Sequence, residues 1–181
     1  MTRILGLSGS LRRASFNSGL LRAAAELAPE GVRIEIGSIE GVPLYDADLE
    51  KALGAPAPVA ALRSALETAD GLMLFSPEYN GSIPGVFKNA IDWISSGESV
   101  ALFRNKPVAI LGASPGGLGT ALGQVHCLPV LRALGARPWQ EQRLMVSGAE
   151  SLFDRSGDLT DENTRKMLAR FVAGFADSLR R

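Results

Sequence analysis

The sequence predicts an α/β protein: a three-layer sandwich around a five-stranded parallel sheet in the order 2-1-3-4-5. Three observations predict it. Short apolar runs alternate with helical patterns five times along the 181 residues, an order that places parallel strands between layers of helices. Two of those runs, GLMLFS (71–76) and KPVAILGAS (106–114), are largely apolar, as strands covered on both faces must be. The three least ordinary loops follow the first, third and fourth runs, where a sheet of this order gathers its ligand.

The elements follow in order. Ile4 to Leu7 forms a short buried strand, ended by Ser8-Gly9-Ser10. From Ser15 to Ala28 the pattern is helical, with Leu20, Leu21, Ala24 and Leu27 on one face, and Pro29-Glu30-Gly31 stops it. Val32 to Ile36 alternates like a strand. Residues 37–60 are rich in glycine, proline and acids and are expected to be a long surface connection with one loose turn. Leu62, Leu66 and Ala69 then mark a helix. After the third strand comes SPEYNGSIPG (76–85), and Val86 to Ile94 returns to helix with Pro84 near its start. The fourth strand leads through SPGGLG (114–119) into a helix from Thr120 to Leu134, where Pro129 predicts a kink or a loose first half. RPWQEQRLMV (137–146) holds the fifth strand. Thr160 is the expected cap of a terminal helix with Met167, Leu168, Phe171, Val172, Phe175 and Leu179 along one stripe. Five strands suit the flavodoxin-like arrangement better than the six-stranded dinucleotide fold, and residues 1–181 are expected to form one domain.

Bulk properties narrow the function. Nineteen basic residues balance nineteen acidic ones. This speaks against a nucleic-acid binder, which carries a basic surplus, and against an acidic electron carrier that docks by charge. Cys127 and His126 are the only cysteine and histidine, too few for a zinc site or a disulfide framework. Adjacent on one helix, they point apart, so the favoured reading is a buried thiol beside a surface imidazole. No stretch approaches the roughly 18 apolar residues of a membrane helix and no signal peptide is visible, so a cytoplasmic protein without membrane partners is expected.

The loops carry the chemistry. In SGSLRRASFN (8–17) the start of a helix offers unpaired N–H groups and a partial positive charge. Ser10, Ser15, Asn17 and Ser18 add donors, and Arg12 or Arg13 adds a planar fork for phosphate. The glycine spacings that cradle a pyrophosphate are absent, so one terminal phosphate monoester fits best; a plainly capped helix start fits the residues nearly as well. In SPEYNGSIPG, Pro77 stiffens the strand exit, and Tyr79 and Asn80 supply an aromatic face and an amide. Gly81 and Gly85 would let the backbone approach a flat ligand. Glycines 116, 117 and 119 would leave room beside that ligand.

With these loops in hand, GSLRRASFN (9–17), SPEYNGSIPGVFKNAIDW (76–93) and GASPGGLG (112–119) resemble the NAD(P)H-dependent FMN reductase family, in particular its quinone and chromate reductase branch. The resemblance implies that Ser10, Arg12, Ser15, Phe16 and Asn17 surround the FMN phosphate. It places Pro77, Glu78, Tyr79 and Asn80 along the flavin ring and Ser114 at its other edge. It also implies NADPH or NADH as hydride donor and a small-molecule electron acceptor: a quinone, free flavin, azo compound or metal oxyanion, served in turn by ping-pong kinetics. No side chain is assigned acid-base catalysis. The family's homodimers or homotetramers would form here through Val86–Ile94, with Phe87 and Trp93 as apolar surface, and through the Thr120–Leu134 helix. No basic residue flanks the third loop, so the residues favour neither nucleotide. The rival readings are a flavodoxin-like FMN carrier without turnover, and a phosphate-binding scaffold of the same fold that uses no flavin.

Overall fold

Alternation at period two divides every central strand between two cores, and this builds the layers. The computed structural model describes residues 1–181. Its strands are β1 (Thr2–Ser8), β2 (Val32–Gly37), β3 (Gly71–Phe75), β4 (Pro107–Ala113), β5 (Arg137–Pro138) and β6 (Leu144–Val146). Its helices are α1 (Phe16–Glu26), α2 (Ala47–Leu53), α3 (Ala57–Thr68), α4 (Gly85–Ser95), α5 (Ala121–Ala133) and α6 (Glu162–Ser178). Ile4, Met73, Phe75, Ala109 and Leu111 face a core closed by α1 and α6. Leu5, Leu7, Leu72, Leu74, Val108 and Ile110 face the opposite core, closed by α3, α4 and α5. Burial on both faces explains why these strands read as unbroken apolar runs.

All pairings are parallel, in the order β2-β1-β3-β4-β5. The fifth position is split. Both β5 and β6 pair with β4, Pro107 aligning with Arg137 and Leu111 with Leu144. Trp139 explains the interruption. Its ring packs against Phe171 and Phe175 of α6, centroids 5.1 and 5.5 Å away. Its backbone N–H still bonds Val108 O at 2.8 Å, and the chain then leaves the sheet until Leu144.

Three further expectations change. Residues 47–53, expected as a loose turn, form α2, which has no buried residue. A cap and an ion pair hold it: Asp46 accepts from Asp48 N at 2.9 Å, and Glu50 meets Arg63 at 2.8 Å. The same guanidinium donates to Trp93 O at 2.6 Å and Ser96 Oγ at 2.7 Å, and its bond to Glu50 holds that carboxyl below the usual range. The cap of α6 is Asp161 in place of Thr160: its carboxylate accepts from Thr164 N at 2.7 Å and Thr164 Oγ1 at 2.8 Å. Thr160 instead donates its hydroxyl to Leu152 O. Met167, placed on the buried stripe by spacing, is exposed, while Thr164 is buried. Helix α5 runs without interruption from Ala121 to Ala133 with Pro129 inside it. No helix is long and apolar enough to cross a membrane.

Candidate functional site

The topology brings the ends of β1, β3 and β4 side by side, and the loops that leave them wall a cleft of about 60 Å³. Nine of the ten residues expected there line it: Ser10, Arg12, Ser15, Phe16, Asn17, Pro77, Glu78, Tyr79 and Ser114. Asn80 is the exception. It sits exposed at the tip of a tight turn, outside the walls.

The first wall is the entry to α1. Ser15 is the N-cap, its Oγ accepting from Ser18 N at 3.3 Å. The main-chain N–H groups of Arg13, Ala14, Phe16 and Asn17 find no acceptor within the protein. A chain segment with so many unpaid donors, at the positive end of a helix, fits an anion. Arg12 stands beside it, its guanidinium 5.7 Å from the Phe16 ring centre and free of any carboxylate partner. The Phe16 ring rests in turn on Phe153 at 5.1 Å. These donors fit the phosphate monoester of FMN.

The Asn17 side chain has a duty of its own. Its Nδ2 donates to Ala113 O and its Oδ1 accepts from Ala113 N, each at 2.9 Å. With both polar ends bonded to the last residue of β4, the side chain joins two walls of the cleft. A second brace lies under the loop. Gly157 packs against Ala14, and Arg22 donates to Gly157 O at 3.2 Å and to Asp158 Oδ1 at 2.8 Å. Residues 154–158 carried no signal of this in the sequence, because the contact spans about 140 positions.

The second wall is a miniature hairpin. Tyr79 and Ser82 exchange both backbone bonds, at 2.9 and 3.0 Å, across Asn80 (φ 51°) and Gly81 (φ 73°). Two positive φ values define a type I′ turn, and Asn-Gly is its preferred pair. The turn therefore requires Gly81, and the NG dipeptide was the readable signal. Gly85 has open space around it. Glu78, expected along the flavin, directs Oε2 to Gly123 N at 2.9 Å, an acceptor at the positive end of α5. The second wall thus presents buried Pro77, half-exposed Tyr79 and the anchored Glu78 to the cleft.

The third wall is shorter. Ser114 Oγ accepts from Gly116 N at 3.0 Å, shaping the turn after β4. Gly119 has φ 60°, and a side chain there would crowd the backbone of Met145 at 3.0 Å, so it is needed for packing on β6. Cys127 is fully buried behind this wall, its thiol pushed up to about 12 by burial, while His126 is exposed. Phe87 and Trp93, expected as assembly surface, are wholly buried inside the chain. Exposed apolar side chains on or beside the three loops and the start of α5 are Leu11, Tyr79, Val86, Leu118, Leu122 and Val125.

A family model described as NADPH-dependent FMN reductase matches residues 2–151, the span that holds all three walls. The chain belongs to this family. An NAD(P)H-dependent FMN reductase of Pseudomonas aeruginosa is 44% identical over 166 residues, covering 92% of this chain and 89% of that protein. A quinone reductase of Escherichia coli is 35% identical over 181 residues, with 99% and 96% covered. Among solved structures, the flavoenzyme NAD(P)H:(acceptor) oxidoreductase FerB of Paracoccus denitrificans superposes with a TM-score of 0.87 at 32% identity, covering 99% of this chain and 98% of that one. The protein is thus an enzyme, a reductase that uses FMN and NAD(P)H, on a flavodoxin-like fold.

Proposed function

We propose that this FMN reductase passes two electrons from NAD(P)H to quinones and related small acceptors by a ping-pong mechanism. FMN, when bound, supplies the redox chemistry. The chain supplies position and charge. The unpaired N–H groups around Ser15 and the Arg12 fork hold the phosphate, and this donor set is the observation that carries the reading.

The Pro77–Ser82 hairpin, stiffened by its own turn and pinned to α5 through Glu78, aligns the ring edge. Ser114 borders the opposite edge. Tyr79, half exposed, flanks the open side where donor and acceptor take turns. One shared space for two substrates gives ping-pong order. A 2-hydroxy-1,4-benzoquinone reductase of Burkholderia, 38% identical with 96% of this chain covered, supports quinones as acceptors. Free flavin, azo compounds and metal oxyanions belong to the same open-site reading.

Assembly follows from exposed surface. Leu122 and Val125 lie on α5, and Leu118 just precedes it. An exposed apolar stripe along α5 favours a homodimer or homotetramer built across it.

The test is spectroscopic. Protein incubated with FMN and desalted should keep a visible flavin band, and anaerobic NADPH or NADH should bleach it. Quinone should then restore the band, and initial rates at several quinone concentrations should give parallel double-reciprocal lines. A band that no nucleotide bleaches would overturn the proposal, and intersecting lines would overturn its ping-pong order.

A further inference from the structure

The segment Ser10–Arg13 divides two cavities. One is the flavin cleft. The other, about 720 Å³, lies between the start of α1 and the carboxyl end of β2, and its volume suits a small-molecule ligand. Its walls hold three guanidinium groups, Arg12, Arg13 and Arg22, against one carboxylate, Glu40. On a chain of zero formal charge this is a local cationic concentration.

Arg22 is committed to Asp158, but Arg12 and Arg13 have no ion-pair partner in the fold. Leu11 and Ile36, also on the walls, are 56% and 52% exposed. Two unpaired guanidinium groups beside two aliphatic plates suit a ligand with a phosphate at one end and a flat apolar body at the other. Glu40 bonds no donor through its carboxylate, which leaves it able to accept from sugar hydroxyls.

We propose that this groove binds a phosphorylated purine nucleoside, with its phosphate on Arg13, its base on Leu11 and Ile36, and its ribose on Glu40. Arg12, shared with the flavin cleft, adds field to both. Two sources share this chemistry: the adenosine 2′-phosphate end of NADPH, and a free nucleotide acting beside the flavin.

The probe is adenosine 2′,5′-bisphosphate, titrated calorimetrically into FMN-saturated protein. Saturable binding without loss of the flavin band is expected. Arg13→Ala should weaken it about tenfold or more, the scale of one charge-assisted contact, while Arg33→Ala at the far end of β2 should leave it unchanged. If Arg13→Ala also raises the KM for NADPH and spares that for NADH, the source is the hydride donor. If both KM values stay put, it is a free nucleotide. No saturable heat, equal affinity in Arg13→Ala, or displacement of FMN by the probe would overturn the proposal. The titration needs no turnover, so it reads this groove on FMN-free protein as well, and a failure of the flavin reading shows separately as a lost flavin band.

Discussion

Asn17 and Ala113, 96 positions apart, are joined by a reciprocal pair of hydrogen bonds, each 2.9 Å long and buried. A side-chain amide thus copies the backbone pattern of a strand and fastens the start of α1 to the end of β4. Asn17→Ala leaves a buried N–H and C=O unpaid, which should cost about 2–3 kcal/mol of folding stability. Chemical denaturation measures it, and FMN affinity should fall in the same variant because two walls lose their tie. Unchanged stability would mean that water replaces the clamp.

Arg12 stands over Phe16 with no carboxylate to compete for it. Arg12→Ala is expected to weaken FMN binding by about 1.5–3 kcal/mol, the scale of a charge-assisted bond. Fluorescence titration of FMN gives the number, and an unchanged affinity would remove the phosphate role.

Gly19 lies in α1, where alanine ordinarily stabilises a helix. Here a Cβ would run into the carbonyl of Gly157, the residue that braces Ala14. Gly19→Ala should therefore lower the melting temperature and weaken FMN binding together. A rise in melting temperature would show that residues 154–158 yield freely.

Cys127 is buried and its thiol is held at about 12, far from the reactive range. Cys127→Ala should retain reductase turnover, and an alkylating reagent at neutral pH should leave the native protein unlabelled. A large loss of turnover, or rapid labelling, would reopen thiol chemistry.

Asp161 accepts from Thr164 N and Thr164 Oγ1, and these bonds hold its carboxyl below the ordinary 3.8. The folded value lies below the unfolded one, so the cap contributes fully above the unfolded value and is lost as pH falls through the folded one. Asp161→Asn keeps an acceptor without the charge. Its melting temperature should fall short of the parent's at neutral pH, and the gap should close in acid. A gap independent of pH would contradict the linkage.

Local information was enough for much of this molecule. Apolar runs such as GLMLFS announced strands buried on both faces, and their alternation with helical stripes settled the parallel order. The SLRRASFN and SPEYN loops announced the cleft, because helix starts and strand exits carry their chemistry in adjacent residues. Even the type I′ turn was written locally, in Asn80-Gly81.

What only the tertiary structure decided depends on residues distant in sequence. The Asn17 amide finds both its partners on Ala113, 96 positions away, and the Glu78 carboxylate finds Gly123, 45 positions away. Trp139 breaks the fifth strand because Phe171 and Phe175 offer its ring a better place. Helix α2 rests on a cap and on Arg63, with no apolar stripe to announce it. A polar side chain's role is set by which partner the fold delivers to it, and period and composition do not encode that choice.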